Sequence, residues 1–144
     1  MPFVRVWIHC VWSTKNRELF LGSKIREEVF LHILENAKQK KIYIDSIGGY
    51  VDHVHCLISL GTDQTIAEIM RLLKGESSHW INKNKMSQGK FEWQDEYFAV
   101  SVSEIYLPRV RKYIGGQEEH HKKTSFIEEF SIFMKRAGFE RYED

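Results

Sequence analysis

The sequence is poor in the residues that staple or stiffen a chain, with two prolines and two cysteines in 144 residues. So few cysteines exclude a disulfide framework, and neither Cys10 nor Cys56 has the C-x-x-C spacing of a closed zinc site. Each sits in an apolar, strand-like pattern, so both are expected to be small core residues kept as thiols. Long apolar runs are also missing, which excludes a membrane-spanning helix of ~18 residues or more. Met1 to Ser13 lacks the basic start and small-residue cleavage site of a signal peptide, so the expected location is the cytoplasm. A charge of one sign is absent too: 21 Lys and Arg against 20 Asp and Glu give a net charge of +1, without the basic excess usual in nucleic-acid binders. There is no phosphate-binding P-loop, no repeat and no low-complexity tract. What remains, 42% hydrophobic and 28% charged, describes one globular domain over residues 1–144.

The apolar residues are patterned. In FVRVWIHCVWST, Val4, Val6, Ile8, Cys10 and Trp12 alternate with Arg5, His9 and Ser13, the period of a strand. SKIREEVFLHILENAKQK carries Ile25, Val29, Ile33, Leu34 and Ala37 at helical spacing, with Ser23 as the expected N-cap. KIYIDSIGGY and HVHCLISL read as two antiparallel strands, with Gly48, Gly49, Val51 and Asp52 between their cores. A second helix places Ile66, Ile69, Met70, Leu73 and Trp80 on one stripe, with Gly75 as a weak point, and EYFAVSVS supplies a fourth strand. Pro108 suits a first helical turn, so LPRVRKYIGGQEEHH is expected to be helical from about Leu107. Gly115 and Gly116 each weaken that helix by roughly 1 kcal/mol relative to alanine. A last helix starts at the Ser125–Glu128 capping box and stops at Gly138. The order β-α-β-β-α-β followed by helices predicts an α+β, ferredoxin-like (split βαβ) antiparallel sheet.

Two features are chemical. His53 and His55 stand two apart on a strand, so both point to one face and can converge on one ion. With seven histidines, chance gives about 0.3 such pairs in a chain of this length, so the pair also fits hydrogen-bonded core or surface rings. Tyr113 and Gln117, four apart, share a helical face that His120 and His121 continue. By itself that stripe is better described as a tyrosine packed against the sheet beside a solvated polar turn.

Together, DHVHCLISL and KYIGGQEEHHKKTSF resemble the HUH motif and the tyrosine helix of the small single-tyrosine HUH transposases of bacterial and archaeal insertion sequences. VWIHCVWSTKNRE and FEWQDEYFAVSVS are similar to the same family. The family often has asparagine immediately before the glutamine, where this chain has Gly116. The resemblance implies that Tyr113 is the nucleophile and that His53, His55 and Gln117 bind a divalent cation, Mg²⁺ or Mn²⁺. It implies cleavage and rejoining of single-stranded DNA at hairpin-marked element ends through a 5′-phosphotyrosine. It also implies a homodimer in which the tyrosine helix of one subunit can complete the site of the other; the adjacent glycines Gly115 and Gly116 are a candidate hinge for that exchange. Lys15, Arg17, Lys74, Arg111 and Lys112 are candidates for DNA phosphate contacts; Trp7, Trp12, Trp80 and Trp93 are expected mostly in the core, and an exposed one would stack on an unpaired base. The alternatives are another HUH endonuclease, such as a replication initiator or relaxase, and a non-catalytic or domesticated nucleic-acid-binding domain of the RNA-recognition type.

Overall fold

A computed structural model describes residues 2–139. The chain runs β1 (Trp7–Ser13), α1 (Ser23–Gln39), β2 (Tyr43–Tyr50), β3 (His53–Ser59), α2 (Ile66–Lys83), β4 (Phe98–Val102), α3 (Leu107–Gly115), α4 (Gln117–His121) and α5 (Phe126–Ala137). The four strands pair antiparallel in the order β2-β3-β1-β4. Because β3 lies between β1 and β2, the arrangement is the split βαβ expected from the element order. Among the described residues, no helix is long and apolar enough to cross a membrane.

Strand alternation sorts the central residues onto two faces. Ile8, Cys10 and Trp12 of β1 and Val54, Cys56 and Ile58 of β3 pack with Val29, Ile33 and Ala37 of α1 and Ile69, Met70, Leu73 and Ile81 of α2. The other face is covered by the C-terminal helices: Trp7 and Leu57 pack with Leu107 and Ile114 of α3, and Val11 and Phe98 with Phe126 of α5. Only the last residue of β1 and of β3 escapes full burial. Cys10 and Cys56 are register partners, both free thiols in the core.

Several local expectations change. The N-cap of α1 is Gly22, with Ser23 already the first helical residue and making no side-chain cap. Gly48 and Gly49 belong to β2, and the turn is Val51–Asp52 alone. The reason is close approach: a Cβ on Gly48 would lie 2.1 Å from the Ile114 carbonyl oxygen, so glycine lets the backbone of α3 lie against β2. Gly75 does not interrupt α2. The segment after Leu107, expected as one helix, is two, because Gly116 (φ −99°, ψ 17°) ends α3 and opens α4. The capping box of α5 and its stop at Gly138 (φ 76°) are as expected. Trp7, Trp12 and Trp93 are buried, and Trp80 stacks on His32 with centroids 4.0 Å apart, so no tryptophan is an open stacking platform.

Gly48→Ala is expected to destabilise the fold by about 1–3 kcal/mol, the usual range for overpacking. Gly75→Ala, with nothing within 4 Å of the added methyl, should be neutral or stabilising by up to about 1 kcal/mol. Urea unfolding of the two variants checks this; equal midpoints would show that α3 does not press on Gly48.

Candidate functional site

His53 and His55 project from β3 onto the face beneath α3–α5, and both are completely buried. Their outer nitrogens are occupied: His53 Nδ1 lies 2.8 Å from Asp52 Oδ1, and His55 Nδ1 lies 2.9 Å from His9 Nε2 on the neighbouring strand. Both Nε2 atoms therefore face inward. Gln117 meets them there, its Oε1 3.0 Å from His53 Nε2 and 2.9 Å from His121 Nε2, while its amide nitrogen donates to the Tyr113 carbonyl at 3.2 Å. That last bond fixes which end of the amide points into the site. In the tautomer that donates Nδ1–H to Asp52, His53 presents an Nε2 lone pair to Gln117 Oε1, a pairing of two acceptors that a cation would satisfy.

Tyr113 lies against His55, its ring centroid 5.6 Å from that of His55 and 6.2 Å from that of His9. Its hydroxyl donates to Glu129 Oε2 of α5. The other carboxylate oxygen, Glu129 Oε1, lies 3.0 Å from His55 Nε2 and 3.5 Å from His53 Nε2. His121 Nε2 is 3.3 Å from Oε2; His120 Nε2 is 2.9 Å from it but off-axis for a hydrogen bond. Phe126 stacks on His53 with centroids 4.4 Å apart, so α5 closes the site with an aromatic ring and a carboxylate.

Burial pushes His55 down to about 4 and His9 to about 3, so both are neutral imidazoles at neutral pH, the form that binds metals. Burial alone would raise the Glu129 carboxyl, but the hydrogen bonds from His121, His55 and Tyr113 outweigh it and hold it well below its ordinary value. Burial and then the Glu129 carboxylate raise the Tyr113 phenol, which keeps its proton at neutral pH. His121 moves up because its contact with Glu129 exceeds the opposing effect of burial. His53, His55 and Glu129 each offer one ligand atom, all within 4.8 Å of one another, as do His120, His121 and Glu129. Neutral imidazoles, an amide oxygen and a carboxylate fit a divalent cation with room for further ligands.

The site thus gathers His53, His55, Gln117 and Tyr113 from a single chain. The basic candidates lie elsewhere. Lys15 is exposed and pairs with Glu92 at 2.8 Å. Arg17 is exposed on the adjoining turn, at the rim of a cleft also lined by Tyr97, Phe126 and Phe130. Lys74 donates to the Gln94 and Asp95 carbonyls at 2.6 and 2.9 Å, and burial lowers its pKa. Arg111 makes a two-pronged bond to Asp45 at 2.8 and 2.9 Å, and Lys112 is exposed beside Tyr113. Sequence reasoning missed Glu129, His9 and Asp52. A signal for Glu129 existed: it is a charge set among Phe126, Phe130 and Phe133, at the spacing of one helical face.

A ferredoxin-like sheet carrying a buried His-x-His pair beneath a tyrosine helix defines the class of DNA transposases that act through one tyrosine. Residues 3–117 match the family described as "Transposase IS200 like", and the chain belongs to that family. It is 26% identical over 117 residues to the ISDra2 transposase TnpA of Deinococcus radiodurans, covering 77% of this chain and 83% of that protein. The fold is similar to a crystal structure of a candidate transposase from Deinococcus radiodurans R1 (TM-score 0.66, 22% identity, 81% of this chain and 93% of that one). It is also similar to a REP-associated tyrosine transposase bound to a REP hairpin (TM-score 0.64, 14% identity, 84% of this chain and 72% of that one). Metal dependence is general in the family, and the His and Glu groups here could hold an ion.

His9 and His55 bind protons less readily folded than unfolded, so the stability they contribute is complete above pH about 6.5 and is lost as the pH falls toward 4 and then 3. His9→Gln should therefore lose urea stability less steeply than the parent between pH 7 and 4.5. Parallel slopes would mean that His9 is not held neutral by burial.

Proposed function

We propose that this protein cleaves and rejoins single-stranded DNA at hairpin-marked element ends, with Tyr113 as nucleophile and a divalent cation, Mg²⁺ or Mn²⁺, held by His53, His55 and Gln117. The supporting observation is the convergence of those four side chains, drawn from β3, α3 and α4, with His53, His55 and Gln117 buried and Tyr113 half-buried against His55. Membership of the transposase family supports the same reaction class.

A free phenol has a pKa near 10, so roughly 0.1% is phenolate at pH 7 and attack on a phosphodiester needs assistance. When bound, the cation polarises the phosphoryl group and offsets charge on the leaving oxygen. The chain supplies the rest. Asp52 and His9 fix the rotation of the two imidazoles, and the Tyr113 carbonyl orients Gln117 so that its oxygen faces inward. The hydrogen bond to Glu129 aims the Tyr113 hydroxyl at the site and gives its proton an acceptor when the oxygen attacks phosphorus. A Tyr113 O–P bond forms as the P–O3′ bond breaks, the leaving 3′ oxygen takes a proton from water to become a hydroxyl, and the 5′ phosphate is left joined to tyrosine. A 3′-hydroxyl later attacks that ester, restores the phosphodiester and releases Tyr113, so rejoining needs no ATP.

Lys15, Arg17, Lys74, Arg111 and Lys112 are proposed phosphate contacts. Arg17 and Lys112, which make no ion pair among the described residues, are the readiest, while Lys15 and Arg111 would first exchange their carboxylate partners. Homodimerisation, implied by the resemblance, belongs to the same proposal, although one chain already brings its own Tyr113 to its own histidines. A solution mass about twice 17.1 kDa by light scattering supports it, and a 17.1 kDa species opposes it.

With Mn²⁺ and single-stranded DNA carrying a hairpin and its flank, a covalent adduct is expected on a denaturing gel. Tyr113→Phe should reduce it at least 1,000-fold while leaving DNA binding within about twofold, since only the attacking oxygen is removed. Persistence of the adduct in Tyr113→Phe would remove the nucleophile assignment. DNA binding without any adduct in the parent would favour a binding-only role.

A further inference from the structure

The carboxylate of Glu129 lies beyond the segment that matches the family, yet it reaches the centre of the site from α5. Its two oxygens have different company. Oε2 faces Tyr113, His120 and His121, whereas Oε1 faces the Nε2 atoms of His55 and His53. Ligand atoms about 2.1 Å from a divalent ion and at right angles lie about 3.0 Å apart. Two of the separations here match that edge, 3.0 Å for His55 Nε2 to Glu129 Oε1 and 3.0 Å for His53 Nε2 to Gln117 Oε1, and the third, His53 Nε2 to Glu129 Oε1, is longer at 3.5 Å. No lysine or arginine among the described residues lies within ion-pair distance of this carboxylate, which is only 2% exposed. An anionic oxygen met by imidazoles and a phenol, and by no permanent cation among the described residues, can take a metal ion as its counter-charge.

We infer that Glu129 is a further ligand of the divalent cation, its Oε1 joining His53, His55 and Gln117, while its Oε2 tethers the Tyr113 hydroxyl. This rests on the proposed metal centre and deepens it. A carboxylate changes the donor set from neutral to anionic, which favours hard dications such as Mg²⁺ and Mn²⁺. It also links ion and nucleophile through one rigid group, so that α5, with no position in the family match, holds the tyrosine in register with the ion.

The test is Mn²⁺ binding by the full chain, read from the electron paramagnetic resonance signal of free Mn²⁺ for the parent, Glu129→Gln and His53→Ala. Glu129→Gln keeps the size of the side chain and removes its charge; the inference expects its Mn²⁺ affinity to fall about tenfold or more, with His53→Ala also weakened. Unchanged or tighter binding by Glu129→Gln alongside loss in His53→Ala overturns the inference and leaves the proposed centre standing, because Glu129 then merely blocks the imidazoles. Unweakened binding by His53→Ala overturns the centre itself. Should Glu129→Gln fail to fold, an anomalous difference map from crystals of the parent protein grown with Mn²⁺ decides: a peak within about 2.4 Å of Glu129 Oε1 supports the assignment, and a peak touching the histidines alone overturns it.

Discussion

Strand β3 is covered on both faces, and that constraint organises the rest of the molecule. One face, Val54, Cys56 and Ile58, is satisfied by aliphatic packing from α1 and α2. The other carries His53 and His55, which packing alone cannot satisfy, because a buried imidazole needs a partner at each nitrogen. The second layer of helices therefore has to bring polar atoms as well as cover. It does so with Gln117, Tyr113 and Glu129, while Leu107, Ile114 and Phe126 provide the apolar seal. The same helices that exclude water from the sheet assemble the chemistry.

The close approach at Gly48 is part of this arrangement. Removing a side chain from β2 lets the end of α3 settle on the sheet and sets the height at which Tyr113 and Gln117 meet the histidines. The break at Gly116 then redirects the chain, so that Gln117 starts a new short helix rather than finishing the old one. The side chain–carbonyl bond from Gln117 back to Tyr113 spans that break and keeps the two functional residues in fixed relation.

Much of this was legible beforehand. Alternation in β1 and β3 and the helical stripes of α1 and α2 gave the element order, and the histidine and tyrosine motifs marked the residues that the fold brings together. What escaped had physical causes. Gly48 and Gly49 look like turn residues because a contact with a helix sixty residues later has no local signature. Ser23 has cap chemistry, but the chain enters α1 one residue earlier. Glu129 escaped because its burial depends on histidines that are remote in sequence.

The long reach of these contacts also governs when the site comes into being. The hairpin of β2 and β3 closes through a two-residue turn, but His9 must be joined to His55, His53 to Gln117, and His55 to Glu129 across separations of 46, 64 and 74 residues. Contacts so distant along the chain form only after the loops between them have been ordered. A nascent or partly folded chain can therefore possess the sheet and still lack the centre. The cluster of His53, His55, Gln117, Tyr113 and Glu129 is complete only once α5 has docked, which ties the proposed chemistry to completion of the fold.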